Sequence, residues 1–182
     1  SVNALYALLT HRGTIVLQHQ FDAKDAVDII KTERCSVFYG TPNMAQAIEV
    51  VIADSKALSL NDLSSLRTGV TIGTSAQVQR IANFGVKEIC NVYGLTETYG
   101  NSTVTDSHLP LAVRLESVGQ ALPGQEIKIA DASTGEVLPS WETGEITVRG
   151  NVFPGYWDDE ERTTESFAGE WFKTGDLGYL DG

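Results

Sequence analysis

A hydroxyl and a carboxylate, Thr96 and Glu97, follow shortly after an apolar run, 88–93, that stops at Gly94. A run of that length reads as a buried strand, and α/β sheets place their ligands just beyond such strand ends. Glu97 is a hard oxygen donor suited to Mg²⁺, Thr96 can hydrogen-bond a phosphate oxygen, and Tyr93 offers a flat face for an aromatic base. A second strand-to-helix turn, Gly73-Thr74-Ser75, adds glycine backbone and a helix N-terminus, both favourable to anions. The same residues also fit a purely structural reading, with Thr96 and Glu97 capping a short helix and Tyr93 in the core.

Farther on, Thr174-Gly175-Asp176 follows the aromatic pair Trp171-Phe172. An aspartate on a tight turn suits a ribose diol, and equally suits an Asx-turn closing a hairpin. Tyr156 and Trp157, after Pro154-Gly155, read as packing residues or a pocket rim, and 158–162 as a solvated helix start. His11, His19 and His108 lack carboxylate or cysteine partners at metal or triad spacing and read as surface residues. There is no G-x-S-x-G, no G-x-x-x-x-G-K-[ST] and no G-x-G-x-x-G.

These residues need a scaffold, and the pattern supplies one. Val2, Leu5, Tyr6, Leu8 and Leu9 share a helical face that Gly13 can end as the C′ residue; 14–17 reads as a β-branched strand. Asp22 caps a second helix with Ala26, Val27, Ile29 and Ile30 as its apolar stripe, and 36–39 is the next strand. Thr41-Pro42 opens a third helix, with Met44, Ile48, Val51 and Ile52 facing inward. After a polar loop, 54–62, come a strand at 67–72, a fourth helix opened by a Thr74/Gln77 capping box, and the strand 88–93. The expected class is therefore α/β: a mostly parallel sheet of βαβ units flanked by helices. Beyond about His108 the pattern alternates (125–129, 145–149) between turn signals, with one short helix near 160–167. That predicts a smaller β-rich, antiparallel, barrel-like part, and the expected domains are 1–110 and 111–182.

The composition, 42% hydrophobic and 20% charged over 182 residues, is that of a globular protein with a sizeable core. A net charge of −11 argues against nucleic acid as partner. No apolar run approaches the roughly 20 residues of a membrane span, and no secretory signal pattern opens the chain. Cys35 and Cys90 fit buried thiols in a reducing cytosol, so the expected location is cytoplasmic. Both ends look cut, and truncation is the expectation.

Three stretches taken together, NVYGLTETYGN (91–101), GEITVRGNVFPGYW (144–157) and WFKTGDLGYLDG (171–182), resemble the AMP-forming adenylating enzymes. That superfamily includes acyl-CoA synthetases, firefly luciferase and peptide-synthetase adenylation domains. SVGQALPG (117–124) and the stretch 21–44 fit as well, so the resemblance covers essentially the whole chain. It implies that Tyr93 stacks on adenine, with Asn91, Val92, Gly94 and the turn Gly73-Thr74-Ser75 around the base and phosphate. It makes Thr96 a phosphate contact, Glu97 the Mg²⁺ ligand and Asp176 the ribose ligand, with Thr96 and Glu97 as the catalytic pair. The acyl pocket would run past Tyr39, Met44 and Gly69.

The implied activity is that of an ATP-dependent, AMP-forming carboxylate–CoA ligase of fatty acid metabolism. A small carboxylic acid, ATP/AMP, Mg²⁺ and coenzyme A would be its small-molecule partners. A peptide-synthetase adenylation domain and a non-catalytic nucleotide-binding fragment are the alternatives. The family's phosphate loop and C-terminal lysine domain are expected outside the sequence, before Ser1 and after Gly182. They would supply the cations that a chain of net −11 needs against ATP, so this fragment alone is expected to be inactive and to depend on the remaining segments of its full-length chain. Where many relatives read Gly-Gly-Ala-Pro, this chain has Gly73-Thr74-Ser75-Ala76.

Overall fold

A computed structural model describes residues 2–181. The chain forms two compact units, one of the chain up to Val92 with Val104–Gly119, the other of Tyr93–Thr103 with the chain from Gln120 onward.

In the first unit, α1 (Val2–Thr10) ends in a Schellman motif: Gly13 N–H donates to the Leu8 carbonyl at 2.7 Å and Arg12 takes the left-handed turn (φ 56°). The expected C′ glycine is thus one position late, and Arg12 occupies C′. The helix leaves Tyr6 and Leu9 each 63% exposed, and Val2 falls outside the described side chains. The strand expected at 14–17 does not form, and Leu17 is 82% exposed there. A β-branched run becomes a strand only where a neighbour completes its ladder, and none pairs with it among the described residues.

α2 (Ala23–Glu33) starts at Asp22, whose carboxylate accepts the Asp25 N–H at 2.9 Å. β1 (Val37–Tyr39) leads through the Thr41 cap into α3 (Pro42–Asp54), and β2 (Thr68–Thr71) leads into α4 (Ser75–Ala82). β3 (Glu88–Tyr93) completes a parallel trio in the order β1-β2-β3, with Phe38 opposite Gly69 and Gly69 opposite Ile89. The stripes meet in one core: Val27, Ile48, Leu63, Val78, Ile81 and Ile89 are fully buried. Inside the expected loop 54–62, Ser59 and Asp62 form a capping box for a 3₁₀ turn, Leu60–Leu63, and Lys31 reaches Asp62 at 2.8 Å. α5 (Leu111–Glu116) was not anticipated; Leu111 and Leu115 pack on the same core.

The second unit holds the short strands β4 (Thr103–Val104, whose last residue belongs to the first unit) and β5 (Gln120–Ala121). Its body is a curled antiparallel half-barrel of β6 (Gln125–Ala130), β7 (Gly144–Gly150), β8 (Phe167–Ala168) and β9 (Trp171–Gly178), in the order β6-β7-β9-β8. α6 (Glu160–Glu165) is capped by Asp159, and Phe153, Tyr156, Phe167 and Phe172 form one aromatic cluster. Trp157, read as packing or rim, is 97% exposed. Parallel βαβ layers followed by an antiparallel β-rich part match the expected fold class.

Candidate functional site

β3 delivers its last residue, Tyr93, into a turn closed by backbone. The Tyr93 carbonyl accepts the Ser102 N–H at 2.7 Å, and a Cβ on Gly94 would collide with the Gly100 carbonyl, so only glycine permits the approach. The 3₁₀ turn Thr96–Thr98 is capped by Thr98, whose hydroxyl accepts from the Leu95 N–H and donates to the Leu95 carbonyl, both at 3.0 Å. Thr98 therefore does the work that the structural reading gave to Thr96 and Glu97. The exposed Thr96 hydroxyl makes no hydrogen bond among the described residues. Glu97 is held from one side: its carbonyl accepts the Phe153 N–H at 2.7 Å, and its Oε1 accepts the Tyr156 hydroxyl at 3.0 Å.

In the same unit, Thr174-Gly175-Asp176 lies inside β9 rather than at a hairpin end. Lys173 pairs with Thr147 and Leu177 with Glu145, so the three residues bulge opposite Ile146 alone. The Thr174 hydroxyl donates to the Ile146 carbonyl at 2.7 Å and accepts the Asp176 N–H at 3.1 Å, while Gly175 (φ 77°) donates its N–H to Glu145 Oε1 at 3.0 Å. The bulge thus fixes the Asp176 backbone without using its carboxylate. The Tyr93 hydroxyl, 83 positions away in sequence, donates to Asp176 Oδ2 at 2.8 Å. Burial, reinforced by the Asp176 and Glu145 carboxylates, pushes the Tyr93 phenol up from its ordinary value and keeps it a donor.

The first unit carries the other candidate turn. Thr74 and Gln77 form the expected capping box, with Thr74 N–H donating to Gln77 Oε1 at 2.8 Å. Asn91, 3% exposed on β3, accepts the Gly73 N–H at 3.3 Å and donates to the carbonyls of Gly73 (3.3 Å) and Ser117 (3.2 Å). Ser75 donates to the Leu115 carbonyl at 2.7 Å. The turn is therefore braced by α5 and its exit, and α5 is locked by Arg114. That buried guanidinium donates to the carbonyls of Leu109 (2.9 Å), Lys87 (2.8 Å) and Ile89.

Of the sequence candidates, Tyr93, Gly94, Thr96, Glu97 and Asp176 fall in the second unit, and Gly73, Thr74, Ser75, Asn91 and Val92 in the first. Among the acyl-pocket candidates, Tyr39 on β1 is 38% exposed, Met44 on α3 is half-buried, and Gly69 on β2 is buried where a Cβ would strike the Phe38 carbonyl. His11, His19 and His108 are all exposed, and no group of three His, Cys, Asp or Glu that could hold a metal occurs among the described residues. A lone carboxylate such as Glu97 still suits Mg²⁺, which takes one or two carboxylates with substrate phosphates and water completing its shell. Cys90 is buried on β3 and Cys35 half-buried; burial pushes both thiols up, away from reactivity.

Sequence reasoning missed Arg114, Tyr156 as partner of Glu97, and Glu145 as anchor of the bulge. Arg114 left a signal, a charge set between the apolar residues Val113 and Leu115 of a stretch whose Leu111 and Leu115 face the core. The other two left none, because they are tertiary contacts between segments 59 and 30 positions apart.

Comparison with known proteins bears on the whole chain. The family model described as AMP-binding enzyme matches residues 1–157. The medium-chain acyl-CoA ligase ACSF2, mitochondrial, of Danio rerio is 35% identical over 170 residues, which are 88% of this chain and 27% of that protein. Among solved structures, an ATP-bound RpMatB-BxBclM chimera superposes with a TM-score of 0.82 at 28% identity, over 98% of this chain and 35% of that one. The O-succinylbenzoate coenzyme A synthetase (MenE) of Bacillus subtilis, in complex with ATP and magnesium ion, gives 0.78 at 27% identity, over 99% and 36%. No helix among the described residues is long and apolar enough to cross a membrane. A match over most of the chain, with the Tyr93, Glu97 and Asp176 motifs in order, establishes that the chain belongs to the AMP-binding enzyme family.

Proposed function

We propose that this chain is the part of a carboxylate–CoA ligase that carries a large share of its nucleotide-binding residues. The observation that carries the reading is the Tyr93–Asp176 hydrogen bond, which brings two family motifs 83 positions apart together in the unit that also holds Glu97. In the second unit Tyr93 presents its ring to adenine beside Gly94; in the first, Asn91, Val92 and the turn Gly73-Thr74-Ser75 keep the nucleotide-binding role that the resemblance implies. Asp176 has an oxygen left over from Tyr93 to accept a ribose hydroxyl, and Thr96 meets the phosphate with a hydroxyl that capping does not occupy. Glu97 would hold Mg²⁺, which when bound offsets phosphate charge. Tyr39, Met44 and Gly69 stand as walls of the acyl pocket, and Gly69 also gives the sheet its close β1–β2 approach.

The proposed reaction has two steps. A carboxylate oxygen attacks the α-phosphorus of ATP and pyrophosphate leaves; the thiol of coenzyme A then attacks the acyl carbon and AMP leaves. The chain spans about a third or less of the relatives it matches. With a net charge of −11, its described residues supply little cationic stabilisation for the first step, so the isolated chain is inactive in this reading. Cytoplasmic residence is also part of the proposal and rests on two free thiols; the ACSF2 relative carries mitochondrial in its name, and the matrix is reducing too.

The test is carboxylate-dependent ATP–pyrophosphate exchange by the full-length chain. Glu97→Ala should abolish the Mg²⁺-dependent exchange. Exchange at near wild-type rate in that variant removes Glu97 from its role, and absence of exchange in the wild type with any carboxylate refutes the ligase reading.

A further inference from the structure

The geometry points to Tyr156 as a positioning residue for Glu97, with Arg162 stacked on its ring to strengthen the contact. This rests on the nucleotide reading above and assigns a role to a segment that the reading leaves idle. The observations that carry it all fall in one compact unit. The Tyr156 hydroxyl donates to Glu97 Oε1 at 3.0 Å, and Glu97 Oε2 has no hydrogen bond among the described residues. The neighbouring Phe153 N–H holds the Glu97 carbonyl at 2.7 Å, so the same strand exit grips both ends of the residue.

Tyr156 is itself fixed. Its N–H donates to the Thr163 hydroxyl at 2.8 Å, which donates to the Asp159 carbonyl at 2.7 Å, and its ring packs edge-on against Phe153 with centroids 4.8 Å apart. The Arg162 guanidinium lies 3.8 Å from the Tyr156 ring centroid. A cation on that face draws electron density from the phenol and makes its O–H a better donor. The carboxylate is therefore held by one oxygen, with the other left to a metal–nucleotide, an arrangement that selects one rotamer before the ligand arrives. Hydrogen-bond partners of ligating carboxylates typically change metal affinity by about 10–100-fold when removed.

The probe is Mn²⁺ with α,β-methylene-ATP, bound to the full-length chain and followed by the electron paramagnetic resonance of free Mn²⁺, so that no turnover is needed. Tyr156→Phe, which keeps the ring, should weaken Mn²⁺ binding by about 10-fold, the low end of the range above. Arg162→Leu should weaken it by a smaller factor, and both should keep the wild-type melting temperature. In a Glu97→Ala background Tyr156→Phe should add less than about 2-fold, because a partner already lost cannot be lost again. Unchanged Mn²⁺ binding in Tyr156→Phe overturns the inference. So does an equal loss with and without Glu97, which would mean general packing. A wild type that binds no Mn²⁺–nucleotide overturns the nucleotide reading itself, and this inference with it.

Discussion

Replacing Arg114 by leucine should be among the most destabilising single changes in the first unit. The side chain is 4% exposed and donates to three carbonyls, those of Leu109, Lys87 and Ile89, and no ion pair holds it among the described residues. Hydrogen bonds from a charged donor contribute about 1.5–3 kcal/mol each, or about 4–9 kcal/mol gross for three. Desolvating the guanidinium costs several kcal/mol, which leaves a net loss of about 2–4 kcal/mol. For a chain of 182 residues, where 1 kcal/mol shifts the melting temperature by about 2–4 °C, that is a fall of about 5–15 °C. Arg114→Lys should recover little of it, since a single ammonium cannot serve three carbonyls in a fixed fork. Thermal unfolding followed by circular dichroism measures both variants. An unchanged midpoint in Arg114→Leu, or full rescue by lysine, would show that the three bonds do not hold α5 against β3.

Two further outcomes follow from particular groups. Tyr93→Phe keeps the stacking ring and removes the bond to Asp176, so AMP affinity measured by calorimetry should fall by about 3–10-fold, which is the roughly 0.7–1.4 kcal/mol of an ordinary net hydrogen bond; an unchanged Kd would show that the hydroxyl does not order Asp176. The Asp131 carboxylate accepts from the Ser133 hydroxyl and the Ser133 and Thr134 N–H groups, Ser133 contributing most, and these hold it down at about 2. A depressed carboxylate stabilises the fold above its unfolded pKa, and that contribution is lost as pH falls toward 2. The Asp131 carboxyl carbon should therefore titrate near 2 by NMR, and a midpoint near 3.8 would mean that the turn is open in solution.

What the sequence shows of this fold is what local rules encode. The caps at Asp22, Thr41 and Thr74, the apolar stripe ending at Ile30 and the run 88–93 each depend on neighbours within four positions, and each stands where the pattern puts it. The strand expected at 14–17 fails for the complementary reason: its propensity is local, but a ladder partner is not. At the site the division is the same. Tyr93, Glu97 and Asp176 were visible as residue types with suitable chemistry, yet nothing local separates a metal carboxylate from a helix cap. Thr98 takes the capping bonds, which removes the cap reading, and Tyr156, 59 positions on, takes only one carboxylate oxygen, which leaves the other for the metal role proposed for Glu97. A turn closed by its own threonine does not need the Thr96 hydroxyl or the Glu97 carboxylate as a cap, so substituting them should cost the fold no more than the Tyr156 bond to Glu97 and act chiefly on what binds.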